Sequence, residues 1–186
     1  MRRRWLVGGM TATALCGLPA ASAGQEQRGR CLHLIDLESL AGAGNAPTSK
    51  AGRLAAPSDQ LVRLTWASYG HAIGIQRGDH AMVGLRAARC GRLSDLLANC
   101  DARLRVARDP ADVRAALLDS IDIAHAARRF DWLVIAGGDE AFAGLASAAR
   151  SSGMRIWLVG GITPFAPTLA ALRVRQSRLQ PRRAAA

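Results

Sequence analysis

Apolar positions along the chain fall into short blocks, separated by polar, glycine-rich or proline-rich stretches. Cys31-Leu-His-Leu-Ile-Asp36 is a compact apolar run closed by a carboxylate, the pattern of a strand buried on both faces of a parallel sheet. Residues 41–57, rich in Gly, Ala, Pro and Ser, read as a loop. Ser58 or Asp59 stands where it can cap a helix through about residue 68, with Leu61, Leu64 and Thr65 at helical spacing. Residues 71–75 predict a second strand, closed by Gly78 and Asp79. Residues 80–100 are ambiguous and are read as a helix and a short turn. From 102 to 107 apolar residues alternate with Arg, a strand with one face partly exposed. Asp109 and Pro110 open a helix as N-cap and first residue, and Val113, Leu117, Ile121 and Ala124 continue its apolar stripe. Residues 132–136 predict another apolar strand, ended by Gly137-Gly138-Asp139. A helix through Ser151 follows, stopped by Gly153. Residues 155–159 are expected to be the last strand, with Gly160, Gly161 and Pro164 closing the pattern.

Strands alternating with helices predict an α/β fold, a Rossmann-like parallel sheet with helices on both faces. Ligands of such sheets bind in the crevice beyond the carboxyl ends of the strands. Asp36 and Asp139 each lie just past the end of an apolar strand, at the edge of that crevice.

Composition adds bounds. With 186 residues, 49% hydrophobic and 21% charged, the chain suits one α/β domain and is not wholly disordered. Aromatics make up 4%, so the core is expected to be aliphatic. The formal charge of +11 suggests a polyanion partner. Most of it sits at the ends: five Arg and one Glu before residue 31, and five Arg with no acid from residue 173 onward. The middle is nearly neutral.

Arg2, Arg3 and Arg4, an apolar run over 5–20 and Ala21-Ser22-Ala23 follow the layout of an export signal; an upstream extension outside the domain is the other reading. The run is too short and too rich in Gly and Thr for a membrane span. Cys16, Cys31, Cys90 and Cys100 contain no C-x-x-C pair, and cleavage after Ala23 would leave an odd three. They read as small buried hydrophobes of a reducing compartment, so a cytoplasmic location is expected, with export through residues 1–23 the alternative. The division is residues 1–30 as extension or signal-like segment, 31–175 as domain and 176–186 as basic tail.

Several chemistries lack their motifs. In Gly44-Asn-Ala-Pro-Thr-Ser-Lys50 the second glycine and the following hydroxyl of a phosphate-binding loop are missing, and Pro47 removes an amide donor. Neither G-x-G-x-x-G nor G-x-S-x-G occurs in the required setting, so neither a nucleotide cofactor nor a serine nucleophile is expected. His33, His71, His80 and His125 have no metal-ligand spacing. Carboxylates remain: Asp36 and Glu38, Asp112 in the first turn of a helix, Asp139 and Glu140. Asp139 could simply cap its helix and Asp112 complement a helix dipole. Asp36, ending a buried strand, needs a cation, a donor or water. Three such acids brought together repel, and Mg2+ or Mn2+ relieves that repulsion.

Leu34-Ile-Asp-Leu-Glu-Ser-Leu-Ala-Gly42 resembles the opening motif of the NYN domain family, a branch of the PIN-like nucleases. Phe130-Asp-Trp-Leu-Val-Ile-Ala-Gly-Gly-Asp-Glu-Ala-Phe142 resembles its second motif, and residues 145–173 are similar to its later segments. The resemblance covers about residues 31–175 and is specific at those two motifs. It implies a Rossmann-like fold and cleavage of RNA phosphodiesters by acids that hold Mg2+ or Mn2+. Asp36 matches the first acid, Asp139 the acid after the fourth strand and Asp112 the middle acid, with Asp122 competing for that place. Glu38 and Ser39 would position water or the scissile phosphate. Arg173, Arg175, Arg178, Arg182 and Arg183 could bind the RNA backbone or form a solvated tail. Ser39 replaces the family's usual Asn, and Ala141 a second Asp. That loss motivates an alternative, a catalytically weakened or inactive NYN-like domain that binds RNA or protein. An exported α/β protein of unrelated activity is the third reading.

Overall fold

The computed structural model describes residues 28–43, 57–97 and 102–180. The signal-like segment, Gly44 to Lys50, Cys16, Cys100, Arg182 and Arg183 lie outside them. Six strands form one all-parallel sheet: β1 (Cys31–Asp36), β2 (His80–Arg86), β3 (Ala102–Ala107), β4 (Trp132–Ala136), β5 (Arg155–Gly160) and β6 (Arg175–Arg178), in the order β3-β2-β1-β4-β5-β6. The helices are α1 (Asp59–Ala72), α2 (Ala87–Leu97), α3 (Pro110–Leu118), α4 (Ile123–Ala127), α5 (Ala143–Ser151) and α6 (Pro167–Ala170). This is the expected Rossmann-like α/β architecture.

The alternation along each strand divides the core. Ile35, Val83, Val134 and Val159 face α1 and α2, whose Val62, Tyr69 and Leu93 complete one layer. Leu32, Leu34, Met82, Leu133, Ile135 and Leu158 face the other way, under Val113 and Leu117 of α3, Ala146 and Ala149 of α5 and Leu169 of α6. A parallel sheet covered on both faces needs such continuous apolar strands. Among the described residues no helix is long and apolar enough to cross a membrane.

Local signals hold at several ends. Ser58 Oγ accepts from Leu61 N at 3.1 Å and caps α1. Pro110 opens α3 behind Asp109, although the Asp109 side chain makes no capping bond.

Four elements differ from expectation. Residues 71–75 are not a strand: α1 runs on to Ala72, because Val62, Thr65 and Tyr69 keep one face buried along its length, and Gly74, at φ 68°, turns the chain away. The second strand is instead β2, inside the ambiguous 80–100 stretch, followed by α2. The stripe through Ile121 and Ala124 does not belong to one helix, since α3 ends at Leu118 and Asp122 caps a separate α4 by accepting from His125 N. Finally, β5 is not the last strand. Arg175 to Arg178 add β6 at the sheet edge, and Leu179 beyond it is buried, with its amide donating to Gly160 O at 2.8 Å. A strand of sequence Arg-Gln-Ser-Arg carries no hydrophobic signal; its pairing with β5 makes it a strand.

Candidate functional site at the switch point of the sheet

Strand order reverses between β1 and β4, and the crevice beyond their carboxyl ends is where an open α/β sheet binds ligands. β1 ends on Asp36; β4 ends on Ala136 and passes through Gly137-Gly138 to Asp139. Gly137 lies beside Asp36, and a Cβ on it would be in ordinary contact with the Asp36 Cβ at 3.5 Å.

Asp36 is 3% exposed, and its Oδ1 accepts from Ser39 N at 3.1 Å. Burial pushes its carboxyl up to about 6, and the charges of Glu38 and Asp139 add to that, while the Ser39 amide and Arg114 pull the other way. Asp139 is the N-cap of a short 3-10 turn, Glu140–Phe142, with Oδ1 accepting from Ala141 N at 2.9 Å. Its Oδ2 stands 3.3 Å from Arg114 Nε. A capping role and a place in the crevice thus coexist in one side chain.

Asp112 lies in the first turn of α3 and is exposed. Arg114, two residues on, is the α3 side chain that reaches the crevice. Asp122 caps α4. Glu38 is 5% exposed and clamped: Oε1 accepts from Arg86 N at 2.9 Å, Oε2 lies 2.6 Å from both Arg86 Nε and Nη2, and Arg89 Nε stands 3.3 Å away. It anchors the exit of β1 to the end of β2 and to α2. The buried Ser39 Oγ finds no hydrogen-bond partner among the described residues. Arg175 stacks 3.7 Å over the Trp157 ring and Arg178 5.4 Å from Phe165, so both are parts of the sheet edge.

Among the described residues one group of three His, Cys, Asp or Glu side chains brings its ligand atoms within 4.8 Å of one another: Cys31, His33 and Asp79. The three aspartates do not form such a group. Cys31 and His33 lie toward the amino end of β1, away from Asp36. Sulfur, nitrogen and oxygen together suit zinc rather than magnesium. Asp79, however, already accepts from Cys31 N, Gln76 N and Arg28 Nη2 at 2.8, 2.8 and 2.9 Å. The His33 ring bridges Tyr69 OH at 2.6 Å and Asp79 at 3.2 Å. Because ionised Asp79 can only accept, Nε2 of His33 carries the proton and Nδ1 accepts from Tyr69. Burial lowers His33 below its ordinary value and pushes the Cys31 thiol up to about 11. Burial alone would raise Asp79, but bonds from His33 and the Gln76 and Cys31 amides outweigh it and hold the carboxyl low. The group is a hydrogen-bond network with Arg28 as its cation, paired with Asp79 through Nη2.

Sequence reasoning took Asp79 for a turn residue and passed over Arg114. The available signal for the first was Cys and His two apart, on one face of β1; Arg114 had none beyond lying one turn into α3. In comparisons with known proteins, no family model, curated protein or solved structure matches this chain.

Proposed function

We propose that the chain is a divalent-cation-dependent ribonuclease of the NYN and PIN-like kind that its two motifs resemble, working at the switch point between β1 and β4. The observation that carries this reading is Asp36. It is a buried carboxyl at the end of β1, at the point where the strand order reverses, pushed up to about 6 by burial and two neighbouring acids, and perturbed carboxyls in such crevices cluster at functional sites.

The oxygen donors of Asp36 and Asp139 fit Mg2+ or Mn2+ by type, and Asp112 is the candidate third acid. When bound, such a cation lowers the pKa of a water ligand and offsets charge on the scissile phosphate. Ser39 N orients Asp36, and the Glu38 clamp fixes the turn that carries Ser39. Arg114, beside Asp139, offers a guanidinium to a phosphate oxygen. The buried Ser39 Oγ supplies one more group to orient water.

The test is incubation of the purified chain with single-stranded RNA in Mg2+ or Mn2+ and in chelator. Cleavage is expected with either cation, absent in chelator and reduced at least about a hundredfold in Asp36→Asn. No cleavage under any condition, or equal cleavage by Asp36→Asn, overturns the reading.

Arg114 favours a second reading. Its guanidinium already neutralises Asp139, and Ala141 offers no carboxylate where the family has one. A non-catalytic domain would then bind RNA without a cation, with affinity falling steeply in salt and indifferent to Asp36→Asn.

A further inference from the structure

A cavity of about 250 Å3 opens at the other end of the sheet, on the α3 and α4 face. Its wall on the edge strand is Arg103 and Arg105, two apart on β3 and therefore on one side of it, paired in register with Met82 and Gly84 of β2. The facing wall comes from α4 and the turn after it: Asp122, His125, Arg129 and Phe130. Leu32 at its floor belongs to the second residue of β1, while Asp36 is the last, so the cavity and the switch point occupy opposite strand ends.

Three arginines and one aspartate line this cavity. Asp122 is only partly free to answer them, for its Oδ1 accepts from His125 N at 2.9 Å as the cap of α4. The Arg105 Nε is buried and has no hydrogen-bond partner among the described residues. No ion pair joins Arg103, Arg105 or Arg129 to a carboxylate among those residues. Arg129 instead lies against its neighbours: its Nη1 is 3.4 Å from His125 Nε2 and its guanidinium 5.7 Å from the Phe130 ring. Like charges around one recess, two exposed at its rim and one with a desolvated donor, are only partly answered by the single Asp122 carboxylate and favour a further anion.

We propose that this cavity is a second binding site, one that takes the phosphate group of a small phosphomonoester. The planar donor fork of Arg matches phosphate oxygens, and three such forks suit a dianion better than a carboxylate. The volume lies just below the usual range for drug-sized ligands of about 300–1,000 Å3, which fits a compact head group with the rest of the ligand outside. This proposal does not depend on the ribonuclease reading.

Titration calorimetry on the full chain, with inorganic phosphate and with AMP at constant ionic strength, tests it. Saturable binding is expected, about millimolar or tighter, and about tenfold weaker in both Arg103→Gln and Arg105→Gln. Arg103 is exposed, so its variant keeps the fold even if the Arg105 variant does not. Tighter binding of AMP than of phosphate means the rest of the ester is also recognised; equal affinity means phosphate alone is the determinant. The proposal is overturned if neither probe saturates, if sodium chloride reproduces the heat, or if Asp36→Asn abolishes binding while Arg103→Gln leaves it intact.

Discussion

A buried carboxylate at a strand end is expensive, and Asp36 shows where the expense appears. Its carboxyl stands at about 6 in the folded chain, against an ordinary value of 3.8. Between those two values the folded chain holds the proton more tightly than the unfolded chain, so the contribution of Asp36 to stability falls as pH rises from about 4 to 6. The loss amounts to about 3 kcal/mol and is complete above the upper value. Asp36→Asn, neutral at every pH, is therefore expected to be more stable than the parent chain at pH 7.5, by about 1–3 kcal/mol, and to lose that advantage below pH 4. Urea denaturation at the two pH values measures it, and equal stability at pH 7.5 counts against the account. Stabilisation together with loss of RNA cleavage would show a residue kept for chemistry rather than for folding. The position of Asp36 after an apolar strand was legible in the sequence. Its raised pKa was not, because that rests first on burial beneath the packed elements, and then on Asp139 raising it and Arg114 lowering it from separate parts of the chain.

At the scale of elements, close packing decides what local pattern leaves open. Gly84 stands in the middle of β2, where glycine ordinarily weakens a strand. Here it admits α3: a Cβ on it would meet Val113 Cγ1 at 2.5 Å and Leu117 Cδ1 at 2.9 Å. Gly84→Ala is expected to push α3 from the sheet and lower stability by about 1–3 kcal/mol. If the proposed ribonuclease reading holds, the same substitution should also reduce RNA cleavage in the folded fraction, since α3 carries Arg114, which pairs with Asp139. Thermal unfolding followed by circular dichroism checks the first effect, and an unchanged midpoint would contradict the packing. Residues 80–86 are ambiguous in the sequence, and the glycine among them is the position the fold requires to be small. Conversely, residues 71–75 look like a strand in isolation, yet Tyr69 stacks against Trp66 and bonds to His33, and α1 extends past it to Ala72.

For the molecule as a whole, the distribution of basic residues changes meaning once the strands are assembled. Residues 176–186 read as a tail by composition, but Arg175 and Arg178 belong to β6, and Leu179 is 4% exposed in the core. Trp157 is held from the same edge, its Nε1 donating to Ser177 Oγ at 3.1 Å. Leu179→Ala should therefore cost about 2–4 kcal/mol, the penalty of a core leucine rather than of a tail residue. A shift in the urea midpoint measures it; no shift would return Leu179 to the tail. Two separate concentrations of charge also emerge at opposite strand ends, acids with Arg114 at the carboxyl end and arginines around the cavity at the amino end.

By itself the sequence determined the α/β alternation, four of the six strands and the carboxylates that end two of them. Those features rest on apolar runs, caps and glycines, which act over a few residues. The tertiary structure alone decided that β2 and β6 are strands, that Glu38 is clamped by Arg86 and Arg89, and that Arg114 rather than Asp112 reaches Asp139. It also drew Cys31, His33 and Asp79 into one network and gathered Arg103, Arg105 and Arg129 around one cavity. Burial, desolvation and charge pairing depend on groups remote along the chain, and only the packed sheet brings them together.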